Sequence, residues 1–154
     1  MKNILIATLL LTSLLSAQEL RIKANSFSAD EGKGLSYFEG DVNIIKLNDE
    51  LNASKVTIFT DKNNQPTKFI AKGDVSFKIQ TKLQAKYEGT AEKVIYIPQD
   101  KEYRFYGSVH LKQIDDKKEI QGDEVILNTT SGKAYAKGKK KEPIIMIFDI
   151  KEEK

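Results

Sequence analysis

Cysteine and tryptophan are absent from this 154-residue chain, histidine occurs once, and there are only three prolines. Without thiols the fold cannot rest on disulfides, no cysteine can carry a lipid anchor, and thiolate catalysis is excluded. With His110 alone, a histidine metal site or a nucleophile–base pair lacks its second member. No glycine-rich phosphate loop of the P-loop or dinucleotide type occurs. A dominant charge is missing as well: 25 basic and 22 acidic residues leave +3 at pH 7, which does not describe a nucleic-acid binder. No convergent catalytic set emerges, so the chain reads as a non-enzyme with no cofactor and no metal.

What is present begins with Lys2, an apolar run from Ile4 to Leu15, and the small residues Ser16 and Ala17. This is the build of a secretory signal peptide over 1–17. The apolar run falls short of the roughly 20 residues that cross a bilayer. Cleavage near Ala17 would leave one exported domain over 18–154, although Leu15, three positions before the cut, is larger than usual there, and a retained anchor is the alternative.

Beyond the leader no apolar pattern repeats at helical spacing, and turn-forming clusters separate runs rich in β-branched and aromatic residues. About nine strands are expected, roughly at 20–29, 35–46, 51–60, 67–79, 83–97, 102–114, 119–128, 133–138 and 143–150, joined as an antiparallel meander. One motif recurs: Leu51, Ala53, Val56 and Ile58; then Gly89, Ala91, Val94 and Tyr96; then Ile120, Gly122, Val125 and Leu127, with a looser copy at Ile22, Ala24, Phe27 and Ala29. Between the copies Gly40, Gly73 and Gly107 recur at intervals of 33 and 34 residues, each two places after Phe38, Ala71 or Phe105 and directly before Asp or Ser.

The motif contains a phase slip. Leu51 and Ala53 share one parity and Val56 and Ile58 the other, so a straight strand would turn one pair to water. A bulge near Ser54-Lys55 returns both pairs to one interior, and the same holds at Glu92-Lys93 and Asp123-Glu124. A bend at the same place in successive strands folds a sheet over on itself, giving an interior with two walls. The three spaced glycines take the inward parity, at a tight corner or close approach.

The stretches Gly89-Thr90-Ala91-Glu92-Lys93-Val94-Ile95-Tyr96, Phe105 to Val109, and Ile120-Gln121-Gly122-Asp123-Glu124-Val125, followed by Gly138-Lys139-Lys140-Lys141, resemble the LptA/OstA family of periplasmic lipopolysaccharide export. The resemblance covers nearly all of the chain beyond the leader. It implies an all-β, antiparallel, open-ended β-jellyroll with acyl chains of lipid A inside and sugars projecting outward. It also implies head-to-tail stacking of protomers between an inner-membrane LptC-like partner and an outer-membrane LptD-like partner.

The inward face gathers Phe38, Val42, Ile44, Val56 and Ile58 in the first repeat, Phe69, Val75, Phe77, Val94 and Tyr96 in the second, and Phe105, Val109, Leu111, Val125 and Leu127 in the third. Either these residues fill a closed core, or they line a trough left unfilled for lipid. Leu20 and Ile22 at one end and Ile145 and Ile147 at the other are candidate edge strands, which are liabilities unless paired; pairing them between copies would propagate as a filament. An intramolecular strand shielded by the charged tail is the alternative.

Lys137, Lys139, Lys140 and Lys141 read as a solvated hairpin that could meet phosphates. Asp115-Asp116 reads as a turn, and Asp123-Glu124 points to opposite faces as a poor acid/base couple. Asn52 sits in a glycosylation-type triplet. Two further readings stand beside the transport protein: an anchored LptC-like relative, and a structural β-repeat protein without lipid cargo.

Overall fold

The computed structural model describes residues 19–152; the leader expected at 1–17 lies outside them. The strands are β1 (Leu20–Lys23), β2 (Ser26–Asp30), β3 (Leu35–Lys46), β4 (Asp49–Thr60), β5 (Pro66–Gln80), β6 (Lys86–Ile97), β7 (Glu102–Gln113), β8 (Lys118–Asn128), β9 (Ala134–Lys137) and β10 (Ile145–Ile147). They form one antiparallel sheet in the order β1-β3-β4-β5-β6-β7-β8-β10, with β2 also on β3 and β9 also on β8. A single 3-10 turn at Glu31–Lys33 is the only helical element among the described residues.

β3 to β8 realise the expected meander, and three details differ at its margins. The first strand breaks at Ala24-Asn25, because Asn25 donates its N–H to the carbonyls of Glu39 and Gly40 at 3.1 and 3.0 Å, at the bend of β3. Residues 81–85 do not belong to β6: the Lys82 N–H bonds the Thr129 carbonyl at 2.9 Å, which commits this segment to the opposite wall. The last strand is only Ile145–Ile147, and it pairs with β8 rather than with β9.

The bends fall where the phase slips required, but the extra residue lies elsewhere. Register shifts separate Glu39 from Val42 on β3, Lys72 from Val75 on β5 and Tyr106 from Val109 on β7. At these points Gly40-Asp41, Gly73-Asp74 and Gly107-Ser108 take φ values of 82° and 45°, 84° and 45°, and 78° and 45°. Each left-handed pair opposes a single residue, Ser54, Glu92 or Asp123, on the neighbouring strand. Inward residues are therefore four apart on β3, β5 and β7 and three apart on β4, β6 and β8, so both halves of every long strand face the same interior.

The glycines do not point inward. They are exposed or half-buried at the bulges, and a Cβ on Gly73 would lie 2.7 Å from Ser54 Oγ. Side chains of Asn25 and Glu92 crowd Gly40 and Gly107 in the same way. The conformation belongs to glycine because a left-handed backbone with a neighbouring side chain against it leaves no place for a Cβ.

Inside, cross-strand pairing lines up rows of side chains. One row runs Phe38, Val56, Ala71, Val94, Phe105, Val125 and Ala136 across seven strands. Another, beyond the bend, runs Ile44, Leu51, Phe77, Gly89, Leu111 and Ile120. Gly89, paired with both Phe77 and Leu111, leaves room for the Phe77 ring, whose Cζ would be 3.0 Å from any Cβ there. Phe77 in turn stacks on Phe105 of the other wall, with centroids 4.4 Å apart.

Candidate functional site

All fifteen residues assigned to the inward face lie in the core or pack against it. They are not equivalent. Val42, Val56, Ile58, Val75, Phe77, Val94, Phe105, Val109, Leu111, Val125 and Leu127 are buried, and Val56, Val75, Phe105, Val125 and Leu127 are fully so at 0% exposure. Phe38, Ile44, Phe69 and Tyr96 are half-buried. Of the two readings of the inward face, the filled core holds through the middle, where Phe77 of one wall stacks on Phe105 of the other.

The interior reaches the surface at a mouth beside β1. A cavity of about 250 Å³ is lined by Ile44, Leu51, Phe77 and Ile79 from one wall and by Phe69, Tyr96 and Tyr103 from the other, with Leu20, Pro66 and Pro98 at the rim. Its floor is continuous with the packed core through Phe77 and Tyr103, both of which reach Phe105. Leu51, Ile79 and Tyr103 were missed as site residues, although Leu51 belongs to the repeated motif and Ile79 to the alternation of β5.

Polar side chains hold this mouth together. The Asp49 carboxylate accepts the Gln80 N–H at 2.9 Å through Oδ1 and the Tyr103 hydroxyl at 3.0 Å through Oδ2, joining residues 54 apart in sequence. Lys46 Nζ donates to Tyr96 Oη at 3.3 Å and lies 5.3 Å from the same ring's centroid. Burial raises the Asp49 carboxyl above its ordinary value of 3.8, with the Gln80 and Tyr103 hydrogen bonds and Lys46 opposing that rise. Burial, and then the Asp49 charge, push the Tyr103 hydroxyl well above 10.0, so it stays a donor. Nothing in this arrangement presents a nucleophile to a base.

Of the remaining candidates only Leu20 touches the mouth, at its rim. Leu20 and Ile22 sit on β1, opposite Lys46 and Ile44. Ile145 and Ile147 sit on β10, opposite Gln121 and Glu119, and are about half exposed. β1 and β10 are the two ends of the sheet. His110 Nε2 is 2.6 Å from Glu119 Oε1 on the outer face. Lys139 pairs with Asp123 at 3.4 Å and Lys137 lies opposite Glu124. Asn52 accepts from Asn43 Nδ2 at 2.8 Å within an outer polar row, and Asp115 and Asp116 occupy the β7–β8 turn. Among the described residues no cluster of metal-binding side chains occurs, and no helix is long and apolar enough to cross a membrane.

The class these features define is an all-β, open antiparallel jellyroll with an apolar interior and an apolar mouth. The chain belongs to the family described as LptA/(LptD N-terminal domain) LPS transport protein, which matches residues 21–133. In fold it is similar to LptH, the LptA-homologous periplasmic component of the lipopolysaccharide transport device of Pseudomonas aeruginosa. The TM-score is 0.76 at 16% identity, covering 86% of this chain and 96% of that one. No curated protein matches the chain in sequence.

Proposed function

We propose that this protein is a periplasmic, non-enzymatic carrier of lipopolysaccharide or lipooligosaccharide that takes acyl chains of lipid A into its interior through the mouth between Leu51 and Phe69. The observation that carries this reading is the apolar cavity of about 250 Å³ continuous with the core. Ligand pockets usually measure about 300–1,000 Å³, so the cavity as it stands receives part of one chain, and deeper seating requires the walls to part.

Each buried methylene contributes about 0.8 kcal/mol. A chain of about twelve carbons could therefore gain up to roughly 9 kcal/mol before ordering costs and the cost of separating the walls are deducted. The exposed ends β1 and β10 suit strand pairing with LptC-like and LptD-like neighbours and with other copies of the chain, each supplying the backbone partners that an edge lacks.

Photo-crosslinking residues placed at Leu51, Phe69 and Tyr96 should capture lipopolysaccharide in cells making the protein, while one at the outward Glu88 should not. Equal capture at Glu88, or none at the three mouth positions in a folded protein, would refute an interior route.

A further inference from the structure

Beside the apolar mouth lies a polar cleft of about 300 Å³. Lys46, Asp49, Tyr96 and Tyr103 line both spaces, so the two adjoin. The cleft also gathers Lys82 from the β5–β6 turn and Lys101 from the β6–β7 turn. Backbone bonds hold these two turns to one residue just beyond β8. The Lys82 N–H donates to the Thr129 carbonyl at 2.9 Å, and the Thr129 N–H donates to the Lys101 carbonyl at 2.8 Å. Lysines from the end of β3 and from two separate turns thus meet at one cleft.

Charge in the lining is one-sided. Asp49 is its one carboxylate, and both oxygens are engaged, by the Gln80 N–H and the Tyr103 hydroxyl. The acids that neighbour the lining in sequence stand outside it: Glu50 accepts from Asn43, Glu102 pairs with Arg104 at 2.6 Å, and Asp100 precedes Lys101 in the turn. Lys46, Lys82 and Lys101 make no ion pair among the described residues. Three ammonium groups against one carboxylate leave an excess of positive charge that an anion would offset. Asn48, Gln84 and Thr130 line the same space and carry neutral hydrogen-bond donors.

We propose that this cleft is a phosphate-monoester subsite that seats a headgroup phosphate of the lipid whose acyl chain enters the neighbouring mouth, an assignment that rests on the reading of that mouth as a lipid entrance. A phosphate monoester carries a charge of about −1.5 to −2 and three acceptor oxygens, which match the surplus of ammonium groups and the neutral donors. Lysine meets phosphate as a point charge, so the exposed Lys82 and Lys101 need no fixed fork geometry. Lys46 borders both spaces. An amphiphile can therefore place its chain against Leu51 and Phe69 and its anion beside Lys82 and Lys101, and no charge has to enter the apolar mouth.

The test compares the affinities of lipid A, of its dephosphorylated form and of an uncharged dodecyl fluorophore for the full chain and for a Lys82→Gln/Lys101→Gln variant. The parent should bind phosphorylated lipid A about tenfold more tightly than the dephosphorylated form, and high salt should shrink that preference. The variant should bind both forms alike and the fluorophore as the parent does, since neither lysine lines the mouth. Lys82→Arg/Lys101→Arg should restore the preference, and Lys78→Gln/Lys112→Gln, around a different cleft, should leave it intact. With the fluorophore still bound, any of three results would overturn the phosphate subsite and leave the lipid mouth standing: no preference in the parent, a preference kept in the Lys82/Lys101 variant, or an equal loss in the Lys78/Lys112 variant. Inorganic phosphate binding as tightly as lipid A would assign the cleft to the free ion and overturn the lipid source. Failure of lipid A and the fluorophore alike to bind would overturn the mouth and the subsite together.

Discussion

Gly73→Ala is the most direct probe of the bend on which the two-walled interior depends. At φ 84° the new side chain meets a backbone that L residues avoid, costing about 1–2 kcal/mol. Its Cβ would also lie 2.7 Å from Ser54 Oγ and 2.8 Å from Ser54 Cβ, and overpacking of that kind typically costs about 1–3 kcal/mol. Together they predict a loss of about 2–5 kcal/mol, read as a lower urea midpoint at unchanged slope, or as a melting temperature lower by roughly 10 °C.

A double-mutant cycle with Ser54→Gly separates the two contributions. The second change removes the crowding and also the 3.2 Å hydrogen bond from Ser54 Oγ to the Gly73 carbonyl, but it leaves the backbone conformation strained. The pair should therefore be coupled by about 1–3 kcal/mol, with part of the loss persisting in the double variant. A neutral Gly73→Ala would refute the left-handed bend, and additivity within about 0.5 kcal/mol would refute the contact with Ser54.

Phe105→Ala should cost about 3–5 kcal/mol, since Phe105 is at 0% exposure and stacks on both Phe77 and Tyr103; chemical denaturation measures it, and a loss below about 1.5 kcal/mol would mean that the walls close readily over the gap. Asp49→Asn should flatten part of the pH dependence of stability. A carboxyl whose folded pKa is raised binds its proton more tightly when folded, so its contribution falls as pH climbs from 3.8 through the raised value. Asparagine keeps both partners, with its oxygen accepting the Gln80 N–H and its amide donating to Tyr103 Oη, so the variant should gain on the parent as pH rises towards neutrality. A gap in urea midpoints that stays constant across that range would contradict the buried setting of Asp49. Tyr103→Phe removes the hydroxyl that Asp49 accepts; leaving this half-buried carboxylate short of a partner should cost about 1 kcal/mol in the same assay.

The strand class, the repeated bend and the inward set were open to reading in the amino-acid order, because each is a local property. Alternation at period two marks which residues share a face, and the slip between Ala53 and Val56 marks where a strand must turn. The same local signal misplaced Gly40, Gly73 and Gly107, since parity counted along a straight strand does not hold across a bulge that adds a residue.

Tertiary structure alone decided how full the interior is and where it opens. Phe77 against Phe105, Asp49 against Tyr103 and the Lys82 N–H on the Thr129 carbonyl join residues from different repeats across the gap between walls. Whether two apolar walls touch or stand apart depends on the sum of the side-chain volumes brought face to face. That sum is set by register and twist over the whole sheet, so no single stretch of sequence contains it.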